Sequence, residues 1–205
     1  MPDYTFHYFP VHARGSPIRF LLAHANADWV DNRVTFAEWG ALKASMPNGQ
    51  MPCLELADGT KMGDTIPIVR YLGVKHGYYP KDTMQAFHVD ELMDEYQTLI
   101  GKIYTPHFAA DEAAKEAMYP GIFDVALPAF LKAIDAECAA GAFLVGDSLT
   151  TADFCIGGIY TNYVNNSGVS FAAEKWAQIK ADFPNFAAYG ERFAAANASH
   201  LSSRD

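Results

Sequence analysis

The residues Asn48-Gly49-Gln50-Met51-Pro52-Cys53-Leu54-Glu55-Leu56-Ala57-Asp58-Gly59-Thr60-Lys61-Met62-Gly63-Asp64-Thr65-Ile66-Pro67-Ile68-Val69-Arg70-Tyr71-Leu72 decide how this chain is read. Asn48-Gly49 is a turn signal, and Cys53 to Leu56 is a short apolar run. Asp58-Gly59 is a reversal of the kind that joins two antiparallel strands. Asp64 or Thr65 can cap a helix whose Ile66, Val69 and Leu72 repeat at helical spacing. Pro67 fits there, because the first helical turn has no N–H partners to lose. The stretch reads as loop, strand, hairpin, strand and helix N-terminus. Proline cannot donate to a strand ladder, so Met51-Pro52 marks a strand start, where a cis bond would expose the Met51 backbone. The helix start at Asp64-Thr65 offers free N–H groups and a positive dipole end to a carboxylate. An exposed strand backbone beside a helix N-terminus suits a short peptide with an anionic end. A plain hairpin and a capped helix account for the same residues.

Toward the N-terminus, residues 4–9 alternate and are aromatic, which predicts a strand with Tyr8 at its end. Residues 10–15 form a connecting loop. Residues 17–25 read as a helix with Ile18, Leu21, Leu22 and Ala25 on one face. Residues 29–35 read as a second strand and 36–45 as a helix, with Trp39 and Lys43 one turn apart. The order β-α-β-α-β-β-α within about eighty residues predicts a small α/β domain with a mixed sheet. Past residue 85 strand signals vanish. Val89, Leu92, Met93, Tyr96, Leu99, Ile100 and Ile103 mark one long helix. Ile122, Phe123, Ala126, Phe130 and Ile134 mark a face of a second helical region, which Pro120 and Pro128 would start or kink. Thr150-Thr151-Ala152-Asp153 is a helix start in which Thr150 caps, Asp153 reaches back and Leu149 staples against Phe154. Residues 154–164 are apolar nearly all round, which predicts a buried helix. Residues 172–181 and 184–196 complete a bundle, and the last nine residues read as frayed.

The 205 residues suffice for one large or two small domains. A hydrophobic content of 50% and a charged content of 19% are ordinary for a globular protein. The 15 basic and 24 acidic side chains give a net charge of -9, which argues against nucleic acid or an anionic membrane as partner. No apolar run approaches the roughly 18 residues of a membrane span, and the N-terminus lacks a charged-then-apolar leader pattern. Cys53, Cys138 and Cys155 are odd in number and far apart, which suits buried thiols in a reducing compartment. Residues 9–15 hold no cysteine, which excludes a C-x-x-C disulfide oxidoreductase at the first strand end. The histidines at 7, 12, 24, 76, 88, 107 and 200 show no metal-ligand spacing.

A small mixed α/β domain with X-Pro before its third strand resembles thioredoxin, and the helical domain fused to it narrows the likeness. The chain resembles the cytosolic glutathione transferases, most closely their sigma class, over almost its whole length. The residues that carry the resemblance are Tyr8-Phe9, Arg14, Trp39, Lys43, Gly49-Gln50-Met51-Pro52, residues 64–72, Phe143-Leu144-Val145-Gly146-Asp147 and Thr150-Thr151-Ala152-Asp153-Phe154. The resemblance implies a thioredoxin-like glutathione-binding domain over residues 1–79 with a mixed four-stranded sheet. It implies a linker at 80–85 and an all-helical domain over 86–205.

The resemblance also implies roles. Tyr8 would donate its phenolic hydrogen to the glutathione thiolate, with Arg14 adding positive charge. The Met51 backbone beside Pro52 would pair with the cysteinyl residue of the tripeptide. Trp39, Lys43 and Gln50 would hold the glycine carboxylate, and Thr65 the γ-glutamyl carboxylate. Phe9, Pro10, Val11, Ile100 and Tyr104 would line a pocket for flat, apolar electrophiles. Glutathione would be co-substrate, no metal would be needed, and a cytoplasmic homodimer is implied.

The sequence departs from the family pattern in three places. Asp64-Thr65 stands where sigma-like members carry Gln-Ser, so Asp64 is available to the γ-glutamyl ammonium. Gln97 and Thr98 stand where the family supplies an aspartate to the partner subunit. Asp64 would compensate for that loss, and the same change weakens any metal site like that of the prostaglandin-isomerising members. Asn48 is not aromatic, which predicts a comparatively polar dimer interface. Two other functions fit the resemblance: a non-catalytic binding or structural protein, as in lens crystallins of this fold, and a glutathione-dependent, prostaglandin-D-synthase-like isomerase.

Overall fold

The computed structural model describes residues 1–166 and 170–204, which form two compact units. One comprises Met1–Pro80 with Asn197–Asp205, the other Lys81–Ala196.

The first unit is built on a four-stranded sheet in the order β2-β1-β3-β4. Strand β1 (Tyr4–Tyr8) runs parallel to β2 (Trp29–Arg33) and antiparallel to β3 (Cys53–Leu56), which turns into β4 (Lys61–Gly63). The hairpin closes where the Leu56 N–H meets the Thr60 carbonyl and the Asp58 carboxylate accepts from the Thr60 N–H, each at 2.9 Å. Strand alternation puts Tyr4, Phe6 and Tyr8 on one face. Helices α1 (Ser16–His24) and α3 (Thr65–His76) pack together over it: Arg19 of α1 lies on the Phe6 ring, and Tyr4 bonds His76 of α3 at 3.0 Å. The other face carries a polar chain that takes one residue from each strand. Asn32 donates to His7 Nδ1 at 2.8 Å, His7 Nε2 meets Glu55 at 3.1 Å, and Lys61 stands 3.6 Å from the same carboxylate.

The predicted order of elements holds, with corrections at their ends. Strand β2 stops at Arg33 because Thr35 caps α2 (Phe36–Leu42): its hydroxyl accepts from the Glu38 N–H, and the Glu38 carboxylate accepts from the Thr35 N–H. Asp64 occupies the cap position of α3, yet its carboxylate makes no capping bond. The tail is not frayed. Asn197 is buried, and α10 (Ala198–Ser203) lays the His200 ring on Phe20 of α1 at 4.9 Å. Residues 197–204 therefore belong with the sheet, although the sequence assigns them to the helical domain.

In the second unit α4 (Thr83–Tyr104) begins inside the expected linker 80–85, because the Asp82 carboxylate accepts from the N–H groups of Met84 and Gln85. The seven apolar residues read from its periodicity are all buried. Helices α5 (Glu112–Pro120) and α6 (Leu127–Glu137) are joined through a widened turn, Gly121–Ala126, between the two prolines. The run Glu112–Glu137 is long and apolar enough to cross a membrane by length and composition, contrary to the sequence expectation. Its Ile122, Phe123, Leu127, Phe130, Leu131 and Ile134 are buried in the protein. Helix α7 (Thr151–Ile159) starts as expected. The buried Asp153 carboxylate accepts from the Thr150 N–H and hydroxyl at 2.7 and 2.8 Å, and from the Leu144 N–H at 3.0 Å. Helix α8 (Ser170–Ile179) precedes α9 (Pro184–Ala196), which crosses α7.

Candidate active site

Tyr8 ends β1, 5% exposed, with its ring stacked on Phe6 and its carbonyl accepting from the Val34 N–H at 2.8 Å. Gly15 lets the ring lie where it does: a Cβ at that position would stand 2.4 Å from Tyr8 Cδ1. Burial pushes the phenol above its ordinary range. The Arg14 backbone N–H, the Arg14 charge and the Arg19 charge each pull it back down without cancelling the rise. The phenol therefore keeps its proton at neutral pH, while the Arg14 N–H and the Arg14 and Arg19 charges strengthen it as a hydrogen-bond donor. Arg14 is tied in turn to the start of α3, since the buried Thr65 hydroxyl donates to the Arg14 carbonyl at 3.1 Å. Tyr8 and Arg14, six residues apart, are thus linked to Thr65, 51 positions beyond Arg14.

The 48–65 stretch supplies the neighbouring wall. The Met51-Pro52 bond is cis, Pro52 is buried and Met51 is half-buried. Asp64 is exposed and holds φ 66, ψ 138, a conformation that L-residues rarely adopt. The N-terminus of α3 lies directly after it, with Thr65 as its first residue. Trp39 packs edge-on against Phe9 at 5.7 Å, and Phe9 stacks on Phe36 at 4.7 Å. Lys43 follows the end of α2, exposed, with its stem over Gly49, next to Gln50. Pro10 and Val11 are exposed. In the helical unit Ile100 is completely buried as a core residue of α4. Tyr104 bonds the Tyr163 hydroxyl and stacks on His107.

Of the positions that depart from the family pattern, Thr98 faces a groove of about 420 Å³ in the helical unit, beside Glu95, Lys102, Val125 and Phe130. The three thiols are buried. Desolvation pushes Cys53 up to about 11 and Cys138 up to about 12, which leaves both protonated and unreactive. Among the described residues no group of three or more His, Cys, Asp or Glu is placed to hold a metal ion.

Sequence reasoning missed Arg19. It is 4% exposed, its Nε–H meets both Asp31 oxygens at 3.1 Å, and its guanidinium lies 5.6 Å from the Tyr8 ring centre. The signal was present, since Arg19 interrupts the run Ile18 to Leu22, and a charge inside an apolar helix is buried only when paired. Gly15 was read only as a loop residue, because nothing local says which ring will lie above it.

Residues 98–198 match the family model described as "Glutathione S-transferase, C-terminal domain". A glutathione S-transferase of Anopheles gambiae is 34% identical over 82% of this chain and 84% of its own length. "Glutathione S-transferase 4" of Caenorhabditis elegans is 34% identical over 85% of this chain and 87% of its own. Among solved structures, a Nu-class GST from Haemonchus contortus superposes with a TM-score of 0.82 at 27% identity, covering 100% of this chain and 98% of that one.

Proposed function

This chain belongs to the glutathione S-transferase family, and from that premise we propose that it ionises the thiol of glutathione for attack on small apolar electrophiles, with Tyr8 as the donor that holds the thiolate. A thiol of this kind has a pKa near ~8.5, so little of it is ionised at neutral pH. Lowering that by roughly two units takes about 2.7 kcal/mol of preference for the anion. One hydrogen bond to a charged group contributes about 1.5–3 kcal/mol. A single phenol therefore supplies most of the shift, and Arg14 adds to it.

The observation that carries the reading is the state of Tyr8: buried at a strand end, protonated at neutral pH, with Arg14 N–H and two cations at hand. The rest of the tripeptide follows the 48–65 stretch. The Met51 backbone pairs with the cysteinyl residue in strand fashion. Trp39, Lys43 and Gln50 take the glycine carboxylate. The Thr65 N–H and hydroxyl, at the N-terminus of α3, donate to the γ-glutamyl carboxylate, the hydroxyl in place of its bond to the Arg14 carbonyl. Asp64 takes its ammonium, in place of the aspartate that Gln97 and Thr98 do not supply. Phe9, Pro10 and Val11 supply apolar surface for the electrophile. The enzyme is sigma-like and works as a cytosolic homodimer without a metal ion. Its interface is comparatively polar because Asn48 carries no ring.

Retention on immobilised glutathione, followed by conjugation of a generic aromatic electrophile, tests the reading. Retention with thioether formation is the expected result. Retention without turnover would reassign the chain as a binder. Turnover of an isomerisable substrate with no net glutathione consumption would make it an isomerase. Failure to bind would end the proposal.

A further inference from the structure

Arg19 is more thoroughly engaged than an ion pair requires. Beside the Nε–H contact with Asp31, its Nη1 donates to the Val11 carbonyl at 2.7 Å and its Nη2 to the Phe9 carbonyl at 3.2 Å. Those two carbonyls flank Pro10, in the loop that leaves Tyr8. The same guanidinium covers the rings of Phe6 and Tyr8, at 5.3 and 5.6 Å from their centres. One planar cation therefore ties α1, β2 and the 9–11 loop together beneath the phenol. Only a rigid fork with donors in several directions can do this.

We propose that Arg19 is a positioning residue for the conjugation reaction, with two separable actions. Its fork holds the 9–11 loop, and hence the apolar surface offered to the electrophile. Its charge lies under the Tyr8 ring and keeps the phenol a stronger hydrogen-bond donor than burial alone would leave it. The proposal rests on the glutathione transferase reading above.

The two actions separate by substitution. Arg19→Lys keeps the charge and loses the fork, Arg19→Met loses both, and Asp31→Asn removes the counter-charge that Arg19 shares with Arg33, whose Nε lies 2.8 Å from the same carboxylate. The first measurement is the phenol titration of Tyr8 in the glutathione-free protein, taken as the absorbance difference between each protein and its Tyr8→Phe counterpart. The second is KM for the electrophile against KM for glutathione, with the pH profile of kcat/KM. Arg19→Met is expected to raise the Tyr8 midpoint by about half a unit or more, and to move the pH profile the same way. Asp31→Asn is expected to lower that midpoint, a change of sign that a purely structural role does not produce. Arg19→Lys is expected to keep the midpoint near that of the parent while raising KM for the electrophile about 3- to 10-fold, with KM for glutathione little changed.

An unmoved Tyr8 midpoint in Arg19→Met and Asp31→Asn, in a parent chain that conjugates glutathione, overturns the proposal and leaves the function intact. Losses of activity that track thermal stability alone, with KM ratio and pH profile unmoved, overturn it equally. If Arg19→Met does not fold, the direction of the Asp31→Asn shift decides. A parent chain that neither binds glutathione nor conjugates it fails the functional reading, and this proposal with it.

Discussion

At Tyr8 the proposed chemistry and the packing meet in one side chain. The phenol is buried enough to stay protonated, and Arg14 and Arg19 are near enough to strengthen it as a donor. Tyr8→Phe keeps the ring and removes the proton, so conjugation should fall roughly 10- to 150-fold with unfolding stability little changed. Steady-state rates with bound-thiol absorbance check this, and rates near those of the parent would remove Tyr8 from the mechanism. Gly15→Ala tests ring placement by itself. A Cβ 2.4 Å from Tyr8 Cδ1 cannot be accommodated unless the ring moves. Conjugation should drop, with a stability cost of about 1–3 kcal/mol. Asp64 is a different case, since its φ of 66 is a conformation that glycine accepts readily and aspartate does not. Asp64→Gly should leave stability within about 1 kcal/mol of the parent, because relieved strain of ~1 kcal/mol offsets the entropy cost of glycine. Its glutathione affinity should fall, and calorimetric titration alongside urea unfolding reads both. Unchanged affinity would show that Asp64 does not hold the γ-glutamyl ammonium.

Among the elements, α7 and α9 approach as closely as ring-over-glycine contacts permit. Phe193 of α9 lies over Gly157 of α7, where an added Cβ would meet the ring at 2.4 Å. Tyr160, just past α7, lies over Gly190 of α9, where a Cβ would meet its ring at 2.3 Å. The exchange is reciprocal, so neither glycine can grow without parting the helices. Gly157→Ala gains helix propensity of ~1 kcal/mol and still should lose stability, by about 1–3 kcal/mol net. A denaturant midpoint at or above that of the parent would mean the two helices adjust freely. At the start of α7 the Asp153 carboxylate takes three hydrogen bonds in full burial. It was legible in the sequence because capping chemistry is local. The glycine contacts were not, since Gly157 and Phe193 meet only after two helices have docked.

Over the molecule as a whole, the histidines set the acid limit. Burial is the main cause that lowers His7, His24 and His76 below their ordinary range, and burial with the Arg204 charge takes His200 down to about 4. His12, Arg19 and Asp31 also face His200, the first two lowering it further and Asp31 opposing them. Each of these four is neutral when folded and takes a proton more readily when unfolded. The stability they contribute is therefore present above about pH 6.5 and lost as pH falls toward 4. His88 acts oppositely: its bonds to Glu137 and Glu91 outweigh desolvation and raise it, so its contribution is full below about pH 6.5 and fades as pH rises. Among the described residues the four lowered histidines outweigh His88, which predicts a chain that loses stability between about pH 6.5 and 4. His200→Gln should remove roughly 1–3 kcal/mol of that dependence, after allowance for its partial exposure. Urea midpoints across this range check it, and parallel curves for the two proteins would exclude His200 as a contributor.

What the sequence determined by itself is whatever depends on near neighbours along the chain. Strand alternation at residues 4–9, the reversal at Asp58-Gly59, the Thr150-Asp153 helix start and the spacing of Val89 to Ile103 needed no distant partner, and the order of elements followed from them. The motif around Met51-Pro52 and Asp64-Thr65 likewise placed a candidate site on two elements adjacent in sequence. Tertiary structure alone decided that Arg19 spans three elements under Tyr8, that Gly15 makes room for the phenol, and that residues 197–204 return to pack on Phe20. The physical reason is range: backbone preferences and periodic burial act over a few residues. A buried cation's partners, or the ring that fills a missing Cβ, are chosen by which remote atoms the completed fold brings within a few ångströms.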